Sequence, residues 1–136
     1  VAAGFKVTAI SRESSTATFP DGVTVKKVDF DSLESLKAGL AGLDAVVSVA
    51  ATVAVGTQKA VIDAAFASGV RRFIPSEYGV NTRGVQGTAL GTILGGKTAI
   101  VDYLIEKSKE NPEFSWTGLS TGLFFDWVSL CLINIM

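Results

Sequence analysis

The sequence predicts an α/β fold built on a doubly wound, parallel sheet, and three observations predict it. Strand and helix signals alternate after an opening pair of strands, which implies right-handed crossovers onto a parallel sheet. Residues 45–51, Ala-Val-Val-Ser-Val-Ala-Ala, are a near-continuous apolar run, the pattern of a strand buried on both faces. Gly42 and Gly69 fall where two helices should close.

Residues 5–12 alternate and are β-branched, so they read as a strand. Ser14, Ser15, Pro20, Asp21 and Gly22 mark a loop. Residues 23–30 form a second strand, and Lys26 with Lys27 suggests an exposed or edge position. Asp31 with Glu34 makes a capping box for the helix that follows, with Ser32 as the alternative cap. Leu33, Leu36 and Leu40 then share one helical face. After the apolar strand, a helix over about 57–68 turns Val61, Ala64 and Ala65 inward. Residues 72–76 form the next strand, with Pro75 at its end, where a missing N–H costs little. A glycine-rich loop covers 79–96. A helix then carries Lys97, Ile100, Val101, Leu104 and Ile105 until Asn111-Pro112 stops it, and 114–119 is one more strand.

No glycine-rich phosphate loop occurs in the chain. The expectation is therefore a Rossmann-like sheet that lacks the first strand and that loop. The opening pair would hold positions two and three, with residues 1–4 as the stub of the first helix. In the order 3-2-1-4-5-6 the missing strand is the central one, so strands 5–12 and 45–51 would show unpaired edges unless they pair with each other. The alternative is a flavodoxin-like domain starting at its true first strand, which leaves no phosphate loop anywhere. The expected organisation is a partial nucleotide-binding domain over 1–127 and an apolar tail of uncertain origin over 128–136.

Composition removes several chemistries. At 136 residues, 48% hydrophobic and 18% charged, the chain fits one packed domain. There is no histidine, which excludes Ser-His-Asp and Cys-His mechanisms and His-ligated metals; no metal is expected. The net charge of −1 gives no electrostatic footprint for nucleic acid or an anionic membrane. The lone Cys131 has no internal disulfide partner, and a cytoplasmic location is expected. The apolar stretch 128–136 is far too short to span a bilayer.

The chemistry-bearing positions lie at strand ends. The first visible strand ends in Ser11-Arg12, where a dinucleotide fold specific for NAD carries an acid. A guanidinium there suits a 2′-phosphate through bidentate, charge-assisted hydrogen bonds. Glu13 follows, and its carboxylate turned inward would repel that phosphate. A solvated arginine is the alternative. Ala50, Ala51 and Thr52 end the apolar strand, where small residues let a flat cofactor approach the backbone but serve equally well in a loop. Ser76, Glu77 and Tyr78 fall just outside the carboxyl end of the next strand, where ligands bind in open α/β sheets.

At Ala65 to Gly79 the chain resembles the NmrA-like branch of the atypical short-chain dehydrogenases, and its isoflavone-reductase-like members most. A helix ending Ala-x-x-x-Gly-Val is followed by Phe-Ile-Pro-Ser-Glu-Tyr-Gly at 73–79. Lys97 with Thr-Ala-Ile-Val-Asp-Tyr-Leu at 98–104 matches the family's lysine-opened helix, and 114–122 resembles the strand leading towards the substrate site. The resemblance implies NADP(H)-dependent reduction of a small, often aromatic, substrate. Arg12 would hold the 2′-phosphate, Ser76 and Tyr78 would line the nicotinamide region, and Lys97 would be catalytic. Ile93 stands where a Tyr-x-x-x-Lys dehydrogenase has tyrosine, as in the lysine-only pattern of this branch. The family also holds redox-sensing regulators that bind dinucleotide without catalysis and act through protein partners.

Overall fold

The computed structural model describes residues 2–122. The expected tail at 128–136, Cys131 and the last part of the expected domain lie outside the described residues.

The chain opens with β1 (Val7–Arg12), which pairs in parallel with β2 (Val23–Val28), Val7 opposite Val23 and Arg12 opposite Val28. The ten-residue loop between them therefore closes a parallel crossover without a helix. Helix α1 (Leu33–Leu40) starts at Ser32, whose side chain accepts from the Ser35 N–H at 3.2 Å. Of the two caps the sequence allows, the serine is the one used; the Asp31 N–H instead donates to the Asp29 carboxylate at 2.9 Å. Leu36 and Leu40 are fully buried, while Leu33 stays exposed at the open end of the helix. Gly39 lies against β2: a Cβ there would meet Val28 Cγ1 at 2.7 Å, so the close helix–sheet approach needs glycine.

Strand β3 (Ala45–Val47) pairs with β4 (Arg72–Ile74), and β4 pairs with β5 (Ser115–Trp116), all in parallel. Helix α2 (Gln58–Ala67) crosses from β3 to β4. It ends as the sequence predicts. Gly69 takes φ +75°, the Val70 N–H reaches Ala65 O at 3.0 Å and the Gly69 N–H reaches Phe66 O at 3.3 Å, a Schellman closure. Its buried face is Ile62, Ala64 and Ala65 together with Gln58; Val61 is only partly buried. The stretch read as a glycine-rich loop is more ordered than expected. It holds a 3₁₀ turn at Thr82–Val85 and a short helix α3 (Ala89–Ile93), and helix α4 (Gly95–Glu110) begins within the glycines. Asn111 is the C-cap of α4.

Two expectations about strands are corrected. The apolar run 45–51 is a three-residue strand with its alternate side chains exposed; Val47 is 57% and Val49 80% exposed. A two-sided apolar pattern is buried only where elements cover both faces of the sheet, and Val47 is left uncovered; at its edges β3 pairs only with β4 among the described residues. Strand 114–119 is likewise shortened to two residues. The unpaired edges of β1 and β3 do not pair with each other. The described residues form two sheets, β1-β2 and β3-β4-β5. One continuous core nonetheless runs through both, from Val28, Leu36 and Leu40 through Ile62 and Phe73 to Ile100, Leu104 and Phe114.

Helices α2 and α4 are tied at their surface by a polar clamp. The Tyr103 hydroxyl donates to the Asp63 carboxylate, Lys59 Nζ lies 4.6 Å from the Tyr103 ring centre, and Lys107 Nζ lies 4.9 Å from that of Phe66. Burial, then the bond to Asp63, raises the Tyr103 phenol above its ordinary pKa. A raised folded-state pKa means that the folded form holds this proton more tightly than the unfolded form. The resulting stabilisation is full below the unfolded value of 10.0 and is lost as pH rises through the folded value. Tyr103→Phe should therefore be less stable than the wild type by about 1 kcal/mol at neutral pH. In urea unfolding at a series of pH values, that difference should shrink above pH 10.0.

Candidate functional site

The expected site residues at the strand ends stand in two places. The first is the carboxyl end of β1. Ser11 is buried in the strand opposite Lys27, and Arg12, the last residue of the strand, is exposed. An open recess of about 680 Å³ lies there, lined by Ile10, Ser11, Arg12, Ser14, Ser15, Thr16, Ala17 and Phe30. Glu13 is not among the lining residues. The loop is folded on itself. The Ser15 N–H donates to Arg12 O at 3.0 Å, the Ala17 N–H to Ser15 Oγ at 3.3 Å, and Lys27 Nζ to Ser15 O at 2.5 Å. One guanidinium, several hydroxyls and no carboxylate form a donor-rich, cationic lining that suits a phosphomonoester.

The second place is the carboxyl end of β3 and β4. The Ser48 N–H donates to Ile74 O at 2.8 Å, carrying the pairing one residue past β3. The Ser76 hydroxyl then donates to Ala50 O at 2.7 Å, which joins two of the expected site residues directly. Ala51 is exposed and caps a 3₁₀ turn that begins at Thr52, also exposed. The turn packs on α4, with Val55 against Gly96.

Beyond β4 the chain makes a tight turn in which the Glu77 N–H donates to Pro75 O at 2.8 Å. Glu77 is buried, and its Oε2 accepts from the Thr82 hydroxyl at 2.8 Å. Gly118 lies beside it, where an added Cβ would sit 3.9 Å from Glu77 Cγ. The Gly122 N–H reaches Gly79 O at 2.9 Å, so residues 117–122 run alongside the Ser76–Gly79 segment. Tyr78 is half-buried, and burial raises its phenol above the ordinary pKa, keeping it a neutral hydroxyl donor. Lys97 is the third residue of α4 and is 9% exposed. Its ammonium makes no hydrogen bond or ion pair with another described residue.

Sequence reasoning missed two members of this cluster. Gln58, the first residue of α2, is buried, and its Oε1 accepts the Ser76 N–H at 2.9 Å. Thr82, 1% exposed, is the partner of Glu77. Neither residue has a spacing that marks it; Thr82 sat inside a stretch read as loop.

Among the described residues, no helix is long and apolar enough to cross a membrane, and no group of His, Cys, Asp and Glu side chains could hold a metal ion.

The model of the NmrA-like family matches residues 1–132. Among curated relatives, "Oxidoreductase aprR" of Aspergillus flavus is 41% identical over 125 residues, covering 90% of this chain and 41% of that relative. "Oxidoreductase poxI" of Penicillium oxalicum is 34% identical over 125 residues, covering 92% and 40%. The chain thus spans about two fifths of the length of these relatives. Among solved structures, an isoflavone reductase superposes with a TM-score of 0.78 at 21% identity, covering 94% of this chain and 45% of that one. AtPrR2 with NADP+ and (+)pinoresinol gives 0.74 at 20%, covering 88% and 42%. Leucoanthocyanidin reductase with NADPH, from Vitis vinifera, gives 0.67 at 18%, covering 83% and 40%. These likenesses establish the Rossmann-like fold.

The buried pair at the turn can be tested alone. Thr82→Val leaves the Glu77 carboxylate without its hydroxyl partner in a buried setting. It should lower stability by about 1–3 kcal/mol in chemical denaturation.

Proposed function

The chain belongs to the NmrA-like family, and from that premise we propose that it forms the nucleotide-binding part of an NADPH-dependent reductase. The observation that carries this reading is the recess at the end of β1, where Arg12 stands among Ser11, Ser14, Ser15 and Thr16 and no carboxylate takes part in the lining. That lining fits the 2′-phosphate that distinguishes NADPH from NADH. Relatives solved with NADP+ or NADPH support the choice of cofactor, and curated relatives described as oxidoreductases support the class of reaction.

In this reading NADPH supplies the hydride, and the protein's residues do the rest. Arg12 and the loop hydroxyls hold the adenosine end. The Ala50–Ser76 contact and Tyr78 shape the wall for the nicotinamide end. Lys97, a buried residue without a hydrogen bond or ion pair among the described residues, orients ribose hydroxyls, stabilises negative charge and transfers a proton to the reduced substrate. The substrate class is a small, often aromatic, molecule. The (+)pinoresinol in the AtPrR2 structure is one such molecule bound by a protein of this fold.

Two substitutions in the full-length protein test the reading. Arg12→Ala should weaken NADPH binding by about ten- to a hundredfold, the loss of charge-assisted hydrogen bonds, and leave NADH binding nearly unchanged in equilibrium titrations. Lys97→Ala should abolish NADPH oxidation across a panel of small aromatic substrates while cofactor affinity stays within about threefold. Unchanged turnover in that variant would remove Lys97 from the reaction.

A further inference from the structure

The Ser76 backbone has two destinations open to it. In the parallel register of β3 and β4, the Ser48 N–H already donates to Ile74 O, and the next bond of the ladder would run from the Ser76 N–H to Ser48 O. That bond is not made. The Ser76 N–H turns to Gln58 Oε1 at 2.9 Å. The result is a residue held from two sides, its N–H by the start of α2 and its hydroxyl by Ala50 O, at the centre of the turn closed between Glu77 and Pro75.

Gln58 itself is an odd choice for its place. The first turn of a helix offers free N–H groups that a polar side chain could cap. Thr57, the N-cap of α2, makes no side-chain cap bond and donates its hydroxyl to Ala54 O at 2.7 Å. Gln58 is only 2% exposed and directs its amide oxygen across 18 residues of chain to a single N–H. Burying an amide is costly unless it is paired, and here the pairing is with the backbone of the candidate site.

We propose that Gln58 is a positioning residue for the nicotinamide end of the NADPH site. It competes with the sheet for the Ser76 N–H, ends the β3–β4 ladder one residue early, and so sets the path of Ser76, Glu77 and Tyr78. The proposal rests on the NADPH reading above. It makes a separate claim, because the adenosine end lies on the other sheet, at β1, and has no bond to Gln58.

The test uses the full-length protein and two ligands, each in an equilibrium titration. NADPH contains both ends of the site, while adenosine 2′,5′-bisphosphate carries the 2′-phosphate and lacks the nicotinamide. Gln58→Met keeps the length and removes the acceptor. It should weaken NADPH by about tenfold, the value of one hydrogen bond, and leave adenosine 2′,5′-bisphosphate unchanged. Gln58→Glu keeps an acceptor oxygen and should restore NADPH affinity to within about threefold of the wild type. Gln58→Asn withdraws the acceptor by one methylene and should reproduce the loss if Gln58→Met fails to fold. Three outcomes overturn the proposal: wild-type NADPH affinity in Gln58→Met and Gln58→Asn, equal loss of both ligands, or no rescue by Gln58→Glu. A wild-type protein that binds neither ligand overturns the NADPH reading itself, and this proposal with it.

Discussion

Pro75 has no N–H, and the arrangement at the carboxyl end of the larger sheet follows from that one missing donor. In the β4–β5 register the Thr117 N–H donates to Phe73 O at 3.0 Å. The next donor in line would be the N–H of residue 75. Proline ends the ladder on that side. On the other side the Ser76 N–H leaves for Gln58. Freed from both neighbours, the chain turns within three residues and buries the Glu77 carboxylate against Thr82 instead of continuing as strand. The turn is thus fixed by backbone satisfaction on both flanks, with Phe73 fully buried two residues earlier as its anchor in the core.

The division into two sheets gives the candidate site its two-part form. The cationic recess belongs to β1-β2 and the Ser76 cluster belongs to β3-β4-β5. No strand pairing joins them among the described residues, so their alignment depends on helices. Helix α1 packs on both β2 and α2, and α2 packs on α4. The Ser68 hydroxyl adds a weak bond to Lys37 O at 3.4 Å between the end of α2 and α1. Val47, the last residue of β3, and Val49 beyond it are apolar and exposed.

Legibility followed the range of the interaction. Helix ends were legible because the signal is local: Gly69 closes α2 where its positive φ is needed, and Asn111 ends α4 before Pro112. The first cap was ambiguous between Asp31 and Ser32 because both chemistries suit it, and only the backbone decides. The run 45–51 misled because an apolar pattern reports the burial of a completed sheet, whereas exposure is set by which neighbours are present. At the site, Arg12, Ser76, Tyr78 and Lys97 could be read from strand ends and from the family's motif. Gln58 could not, since nothing in a glutamine at a helix start announces a bond to a backbone N–H on another element.

Lys97 shows how such a site is held together energetically. A cation in the first turn of a helix opposes the helix dipole. That cost is not offset by a carboxylate, because Lys97 has no ion pair among the described residues. On the proposed reading, an electron-rich ligand would stabilise an ammonium in that position. The Arg12 recess works the same way at the other end, with cationic and hydroxyl donors gathered and no acidic lining to satisfy them. On the proposed reading, a ligand with acceptors at each extremity would complete both ends, and that is a stricter demand than either cation makes alone.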